Sequence, residues 1–261
     1  MNLLSGLPSA WEAVFLVFCR VGTMMLVAPI FGSRGATPQV RVFLSLTVAL
    51  VMAPVVAPPG TVIPEEIGAF VGRIAREALI GGLVGFVVLM VFTALEGAGH
   101  IVGLQMGFSL ANIINPLTST NASLIDQFYS LVATLVFLTI DGHHIVLLGI
   151  ERTFQIAPID VMGSVLPPQD LIFGLGREIF ATASRMALPV LTALLLTDVA
   201  LAMVARSVPQ LNVFVVGMPA KIAVGFVMLI VTVPAVAYIM AKSFSDIVAL
   251  LVPFARAMGP A

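Results

Sequence analysis

Residues that could ligate a metal ion or act as nucleophiles are scarce in this sequence. It contains three histidines, His100, His143 and His144, and a single cysteine, Cys19. Neighbouring histidines on a helix point to different faces, whereas a zinc-binding helix carries its pair four residues apart. The sequence also has no Gly-x-Ser-x-Gly motif and no Gly-Lys-Ser/Thr phosphate loop. We therefore expect no catalytic residue, no cofactor and no metal site, and we do not expect an enzyme.

Charged side chains inside apolar segments are the second set of residues that could do chemistry. They are Arg20, Glu96, Asp141, Glu178, Arg185 and Asp198. A charge at the centre of a bilayer is unfavourable by at least about 2.5 kcal/mol, so such residues pair or face water. A proton or ion pathway would need several carboxylates on one helix face, and no such stripe is present. We favour structural ion pairs between helices or subunits and name Arg20, Asp198 and Arg206 as structural charges.

Small residues recur at every fourth position in two segments, at Gly81 and Gly85 and at Gly99, Gly103, Gly107 and Ala111. This spacing places them on one helix face, where small side chains let another backbone approach closely. The longer row leads into Met106 and Phe108 and then into a polar loop. Two interpretations stay open for it: ordinary packing within this chain, or docking against a partner helix or a pore axis.

The composition indicates which elements must position these residues. Hydrophobic residues make up 60% of the 261 residues and charged residues only 10%, whereas soluble domains carry about 25% charged residues. So few charges cannot cover a water-facing surface. The net charge of −1, with no basic run, also argues against nucleic-acid binding. We therefore predict an all-α membrane protein that packs against lipid and other subunits.

Apolar segments divide the chain, which we expect to form a single membrane domain over residues 1–261. They cover residues 11–31, 40–57, 66–95, 96–114, 124–150, 171–205 and 213–252. A membrane span needs about 20 apolar residues, and the first segment lacks the positive start of a cleaved signal, so it is expected to be retained. The stretch from Glu65 to Glu77 is expected to be amphipathic and interfacial. Pro189, Pro219 and Pro234 predict kinks.

Four groups of residues, spread over nearly the whole chain, occur in the same order as in one known protein family. They are Arg20 with Ala28-Pro29-Ile30-Phe31, Pro38 and Arg41; Gly103 to Ser109 with Asn115-Pro116; Phe137-Leu138 with Asp141-Gly142-His143, Thr153-Phe154 and Pro158; and Ala187-Leu188-Pro189 with Ala205 to Phe214, Gly217 and Pro219. Together they resemble the FliR family of flagellar and virulence type III secretion systems. That family commonly has Asp-Pro and Asn-Gly where this chain has Asn115-Pro116 and Asp141-Gly142.

The resemblance implies an assembly and partners that composition alone does not. Members of this family form the export gate with two smaller membrane proteins, so we expect FliP-like and FliQ-like partners, with FlhB-like and FlhA-like export components beside them. Kinked helical hairpins of these proteins stack into a ring around a channel for unfolded protein substrates. The expected location is the bacterial cytoplasmic (inner) membrane, in the flagellar basal body.

The resemblance also implies a loop that plugs the channel. The matching stretch runs from Met106 to Ser123. The candidate plug and pore residues are Met106, Phe108, Ser109, Leu110, Ile113, Asn115 and Pro116. Phe108, Leu110 and Ile113 are its apolar candidates for a seal.

Two other classes of function stay open. A small-molecule or ion secondary transporter would use the broken helices and Asp198 as a site at the bilayer midplane. No inverted repeat is evident, however, and the charges within the apolar segments do not cluster. A purely structural anchor is the third class, and conductance of the reconstituted complex would separate it from a channel subunit.

Overall fold

The computed structural model describes residues 7–29, 37–56, 67–108, 124–159, 169–208, 210 and 212–259. Every regular element within these ranges is a helix, which confirms the predicted all-α class. An apolar chain of this kind favours helices because a helix satisfies its backbone N–H and C=O groups internally, without water.

The described ranges contain eight helices. They are α1 (Leu7–Val27), α2 (Pro38–Val56), α3 (Ile67–Met106), α4 (Leu124–Thr139), α5 (Gly142–Ile156), α6 (Gln169–Ser207), α7 (Val213–Ser245) and α8 (Ile247–Met258). Four helical stretches are long and apolar enough to cross a membrane, and the broken pair of α4 and α5 would make a fifth. The chain is therefore built as a membrane protein.

Helix α3 joins two segments that the sequence analysis separated. It runs without interruption for 40 residues, so the predicted boundary between segments 66–95 and 96–114 is wrong. No proline lies between Ile67 and Met106, and one charged residue, Glu96, is not enough to end a helix. The described helix ends at Met106, and residues 109–114 of the predicted segment lie outside the described residues.

Two other predicted segments are each divided by a break. Within 124–150, α4 ends at Thr139 and α5 begins at Gly142, because Asp141 adopts a left-handed conformation with φ 53°. Within 213–252, α7 ends at Ser245 and α8 begins at Ile247. Pro189, Pro219 and Pro234, which are expected to kink helices, lie inside α6 and α7.

The chain divides into two compact units, and the expected single membrane domain stays a prediction. The first comprises Met1–Met90, Asp141–Gly176 and Phe244–Ala261, and the second comprises Val91–Ile140 and Arg177–Ser243. In the first unit α1 packs against α2 and α5 packs against α8, with Ile80, Ala157 and Met258 in a small shared core. In the second unit the rings of Phe92 and Phe137 lie 5.9 Å apart.

Burial differs sharply between the apolar helices. In α3, 61% of the most apolar window is buried within the chain, against 17% in α2 and 17% in α6. Large side chains such as Phe43 and Phe180 are consequently exposed on α2 and α6, and Ile230 on α7. Faces of this kind are stable only against lipid or other protein.

Candidate functional site

A buried ion pair joins α1 to α3 in the first unit. The Nε of Arg20 donates to Oε2 of Glu77 at 2.6 Å, and Nη2 donates to Oε1 at 2.9 Å. The two side chains are 0% and 1% exposed. A two-point pairing of this kind satisfies both carboxylate oxygens and fixes the angle of the guanidinium plane.

The remaining donors of Arg20 reach the end of α5. Nη1 donates to the Thr153 hydroxyl at 3.3 Å and Nη2 to the Ala157 carbonyl at 2.8 Å. The guanidinium carbon also lies 3.9 Å from the centre of the Phe154 ring, a cation–π contact. Arg20 therefore connects three helices, α1, α3 and α5, through one side chain.

Two further arginines of α3 bind backbone carbonyls at helix ends. Arg76 donates to the Met258 carbonyl at 2.9 Å and to the Pro158 carbonyl at 3.1 Å, and Arg73 donates to the Ile159 carbonyl at 3.0 Å. Carbonyls at helix C-termini lack partners in their own helix and carry partial negative charge. The carbonyl oxygens thus compensate part of the positive charge of three buried arginines that share one buried carboxylate, Glu77.

In the described part of the stretch from Glu65 to Glu77 the charged side chains are buried within the chain, and the interfacial position of the stretch stays a prediction. Arg73 is 6% exposed, Arg76 2% and Glu77 1%. The sequence showed charges among apolar residues, which favours a surface helix, but it could not show the carbonyl acceptors at the ends of α5 and α8. Those acceptors make burial of the charges possible.

The shorter glycine row lets α1 and α3 approach closely enough for the ion pair. A Cβ at Gly81 would overlap the carbonyl oxygen of Arg20. A Cβ at Gly85 would lie 2.7 Å from the Met24 carbonyl oxygen. Backbone atoms of α1 thus occupy the space that side chains would need, as in other small-residue helix contacts.

The members of the longer row, Gly99, Gly103, Gly107 and Ala111, do not all pack on one helix face. Gly99 packs inside the second unit, where an added Cβ would lie 3.1 Å from the Tyr129 ring and 3.2 Å from the Asp126 Cα. Gly103 is buried. Gly107 lies beyond the helix with φ 91°, so it does not extend the row, and Ala111 lies outside the described residues. A partner-docking role for Gly103 stays a prediction.

Gly107 ends α3 through a two-bond helix cap. Its N–H donates to the Leu104 carbonyl at 3.1 Å, and the next N–H, of Phe108, donates to the Gly103 carbonyl at 3.0 Å. These bonds form a Schellman motif, which requires a left-handed residue and therefore favours glycine. The sequence reasoning missed this role, although Gly107 followed by a polar loop was a readable signal.

A polar triad holds the last turn of α3 within the second unit. Lys221 Nζ lies 2.9 Å from Oδ1 of Asp198, and Oδ2 accepts hydrogen bonds from Gln105 Nε2 at 2.9 Å and Lys221 Nζ at 3.1 Å. The triad connects α3, α6 and α7. Arg206, the other predicted charge, is exposed and forms no ion pair with any described residue.

Met106 and Phe108 flank the cap and contact α7. Met106 is 1% exposed, and its sulfur occupies a notch where a Cβ at Gly225 would lie only 2.7 Å away. The Phe108 ring meets the Phe226 ring edge to face, with centres 6.0 Å apart. The other candidate plug residues, Ser109, Leu110, Ile113, Asn115 and Pro116, lie outside the described residues.

Sequence comparison places the chain among known proteins. Residues 11–247 match the profile of the family described as Bacterial export proteins, family 1. The chain belongs to this family. It is 34% identical over 246 residues to the flagellar biosynthetic protein FliR of Bacillus subtilis (strain 168), covering 93% of this chain and 94% of that protein. Identity to FliR of Escherichia coli (strain K12) is 30% over 239 residues, covering 91% of this chain and 90% of that protein.

The family match extends to a relative outside the flagellar proteins. Yop proteins translocation protein T of Yersinia pestis is 29% identical over 160 residues, which cover 60% of this chain and 61% of that protein. Membership of the FliR and type III export family, predicted from the order of its residues, is thus confirmed. The matched range includes Arg20, Glu77 and the Asp198 triad, whereas Met258 lies beyond it.

Proposed function

We propose that this protein is a subunit of a type III protein-export gate in the bacterial cytoplasmic membrane. The observation that carries the proposal is the similarity over more than nine-tenths of the chain to proteins named for flagellar biosynthesis. The similarity to a protein named for Yop translocation supports export as the shared activity. The gate forms with FliP-like and FliQ-like proteins, next to FlhB-like and FlhA-like components, and conducts unfolded proteins.

The exposed apolar faces of α2, α6 and α7 supply the surfaces on which such a gate assembles. Phe43 is 71% exposed, Phe180 79% and Ile230 74%. Lipid and neighbouring subunits cover these faces in the assembly. Lipid tails are as apolar as these side chains, so close packing, rather than removal from water, stabilises each subunit interface.

The plug is residues 106–123, attached to a fixed base. Gln105 is held by Asp198, Met106 fits the notch at Gly225, and Phe108 rests on Phe226. Gly107 ends the helix between these contacts and directs the chain away from the axis of α3. Leu110 and Ile113 then provide the seal, with Asn115 and Pro116 after them in sequence, and an exported chain displaces residues 109–123 while the base at residues 105–108 stays in place.

The transporter alternative gains no support from Asp198. Both of its carboxylate oxygens already contact Lys221 or Gln105. A coupling ion or a substrate would have to displace a cation to reach that carboxylate.

Purification from native membranes tests the proposal. The full chain, carrying a small affinity tag, is extracted in mild detergent and its companions are identified by mass spectrometry. A gate subunit is recovered in a complex with two other small membrane proteins of the export apparatus. Recovery of the chain alone, or only with further copies of itself, would contradict the proposal.

A further inference from the structure

Three side chains with metal-binding atoms converge where α5 begins. One carboxylate oxygen of Asp141 and one ring nitrogen each of His143 and His144 all lie within 4.8 Å of one another. We propose that these three residues bind a divalent transition-metal ion, with Zn²⁺ as the favoured occupant. Two imidazoles and one carboxylate form a ligand set that suits zinc, and water would complete the coordination.

The expectation that neighbouring histidines diverge is not met here. The rings of His143 and His144 have centres only 4.4 Å apart and an interplanar angle of 35°. Both residues lie in the first turn of α5, which begins at Gly142. No preceding helical turn restricts their rotamers, so both rings can turn toward the Asp141 carboxylate.

The three side chains have no competing polar partner among the residues that the structure describes. Asp141 stands at the N-cap of α5, where an aspartate commonly accepts a backbone N–H, but its side chain makes no such hydrogen bond. Only its backbone carbonyl is engaged, by the N–H groups of His144 and Ile145. Among the described residues, no hydrogen bond or ion pair occupies the imidazole nitrogens of either histidine.

The geometry is close to a zinc site without being closed. Zinc–nitrogen bonds of about 2.0–2.1 Å in a tetrahedron place ligand atoms about 3.3 Å apart. Ligand atoms that lie within 4.8 Å of one another therefore need to move together by at most about 1.5 Å. Side chains at a surface position achieve this by small rotations, and here Asp141 and His144 are exposed and His143 is half-buried.

The negative charge of Asp141 should contribute more to Zn²⁺ affinity than the two neutral imidazoles do. A helix N-terminus carries about half a positive charge, which disfavours a cation. The full negative charge of Asp141 outweighs it, whereas two neutral imidazoles at the same place would not. Removing that charge while keeping the shape of the side chain, in Asp141→Asn, should therefore weaken binding strongly.

Zinc titration of the full-length protein in detergent tests the site. The chain is prepared without a polyhistidine tag, treated with chelator, supplied with Zn²⁺ and freed of excess metal by gel filtration. We expect one zinc per chain, and with Co²⁺ a visible absorption band from bound metal. Asp141→Asn and the double variant His143→Ala/His144→Ala should each lower affinity at least about tenfold.

His100→Ala is the matched control, because it removes a histidine outside the cluster. It should bind zinc like the unaltered protein. Wild-type protein that retains less than about a tenth of an equivalent of zinc would overturn the proposal, whatever the variants do. Equal binding by the wild type and the double variant, or loss of binding in His100→Ala, would overturn it as well.

Discussion

The guanidinium of Arg20 and the carboxylate of Glu77 meet through two hydrogen bonds at a point where both side chains are at most 1% exposed. The residues are 57 positions apart in sequence. Their pairing fixes the packing of α1 on α3 and brings α5 to the same point through Thr153 and Ala157. A buried pair of this kind specifies one arrangement of helices, because any other leaves a charge without a partner.

Removing either member of this ion pair should destabilise the protein, and removing both should cost less than the two single losses added together. Arg20→Met and Glu77→Met should each lower the stability by about 3–5 kcal/mol, because Glu77 keeps only its 3.4 Å contact with Arg76 in the first variant and Arg20 loses its carboxylate in the second. The double variant should lose clearly less than the sum of the two. Thermal unfolding of the full chain in detergent measures all three, and additive losses would contradict the pairing.

Glu178→Gln is the control for the Arg20 and Glu77 variants, because it breaks an exposed ion pair instead of a buried one. Its partner Arg185 lies 3.9 Å away, and the two side chains are 56% and 65% exposed. An exposed pair contributes about 0–1 kcal/mol. Its loss should therefore leave the unfolding temperature nearly unchanged.

Two neighbouring glycines should respond in opposite directions to the same substitution. Gly81→Ala would place a Cβ against the Arg20 carbonyl, whereas nothing lies within 4 Å of a Cβ at Gly82. Gly82→Ala should stabilise α3 by up to about 1 kcal/mol through helix propensity. Gly81→Ala should instead destabilise by about 1–3 kcal/mol, since backbone must shift. The unfolding temperatures of the two variants decide the matter, and equal shifts would refute close packing at Gly81.

The cap of α3 predicts a requirement for glycine at one position. Gly107→Ala should lower stability by about 1–2 kcal/mol, because a side chain disfavours the left-handed conformation. Gly107→Asn should lose less, since asparagine tolerates that conformation. Gly97→Ala serves as control: it lies within the helix and a Cβ there meets nothing within 4 Å. If Gly107→Ala unfolds at the wild-type temperature, the cap is not as described.

The polar triad should matter more for channel closure than for stability. Asp198 and Lys221 are 39% and 20% exposed, so Asp198→Asn should change stability by only about 0–1 kcal/mol. It should nevertheless raise the resting conductance of the gate, because Asp198 loses its ion pair with Lys221 and Gln105, at the base of the plug, loses a hydrogen bond to a charged acceptor. Arg206→Gln, which changes a charge on the same helix without an ion pair, should leave conductance unaltered. Equal conductance of the two variants would argue against an anchoring role for Asp198.

The sequence predicts those features of the fold, such as the positions of the helices, that depend on local composition. The helices and many of their limits follow from apolar runs, whereas the break at Asp141 divides a segment that was predicted as one. The continuity of α3 was missed because Glu96 was taken as a boundary, although a single charge does not stop a helix. The end of α3 at its Gly107 cap was not predicted, because the cap depends on the positive φ of Gly107, a conformation that glycine permits but does not impose.

The candidate site depends on pairings that composition cannot reveal. Arg20 was expected to have a partner, but Glu77 had been assigned to an interfacial stretch. Asp198 and Arg206 were both named as structural charges without partners, whereas the partner of Asp198, Lys221, lies on the next helix. Backbone carbonyls such as that of Met258 have no signature in sequence, so the burial of Arg76 could not be foreseen.

Conductance of the purified gate, reconstituted in lipid bilayers, tests the central claim most directly. Deletion of residues 111–117 should produce a steady ion leak in the absence of export substrate, while the complex still assembles. Deletion of residues 160–166, seven residues in a different connection, should leave the resting gate closed. An assembled complex that stays closed without residues 111–117 would show that this segment is not the plug.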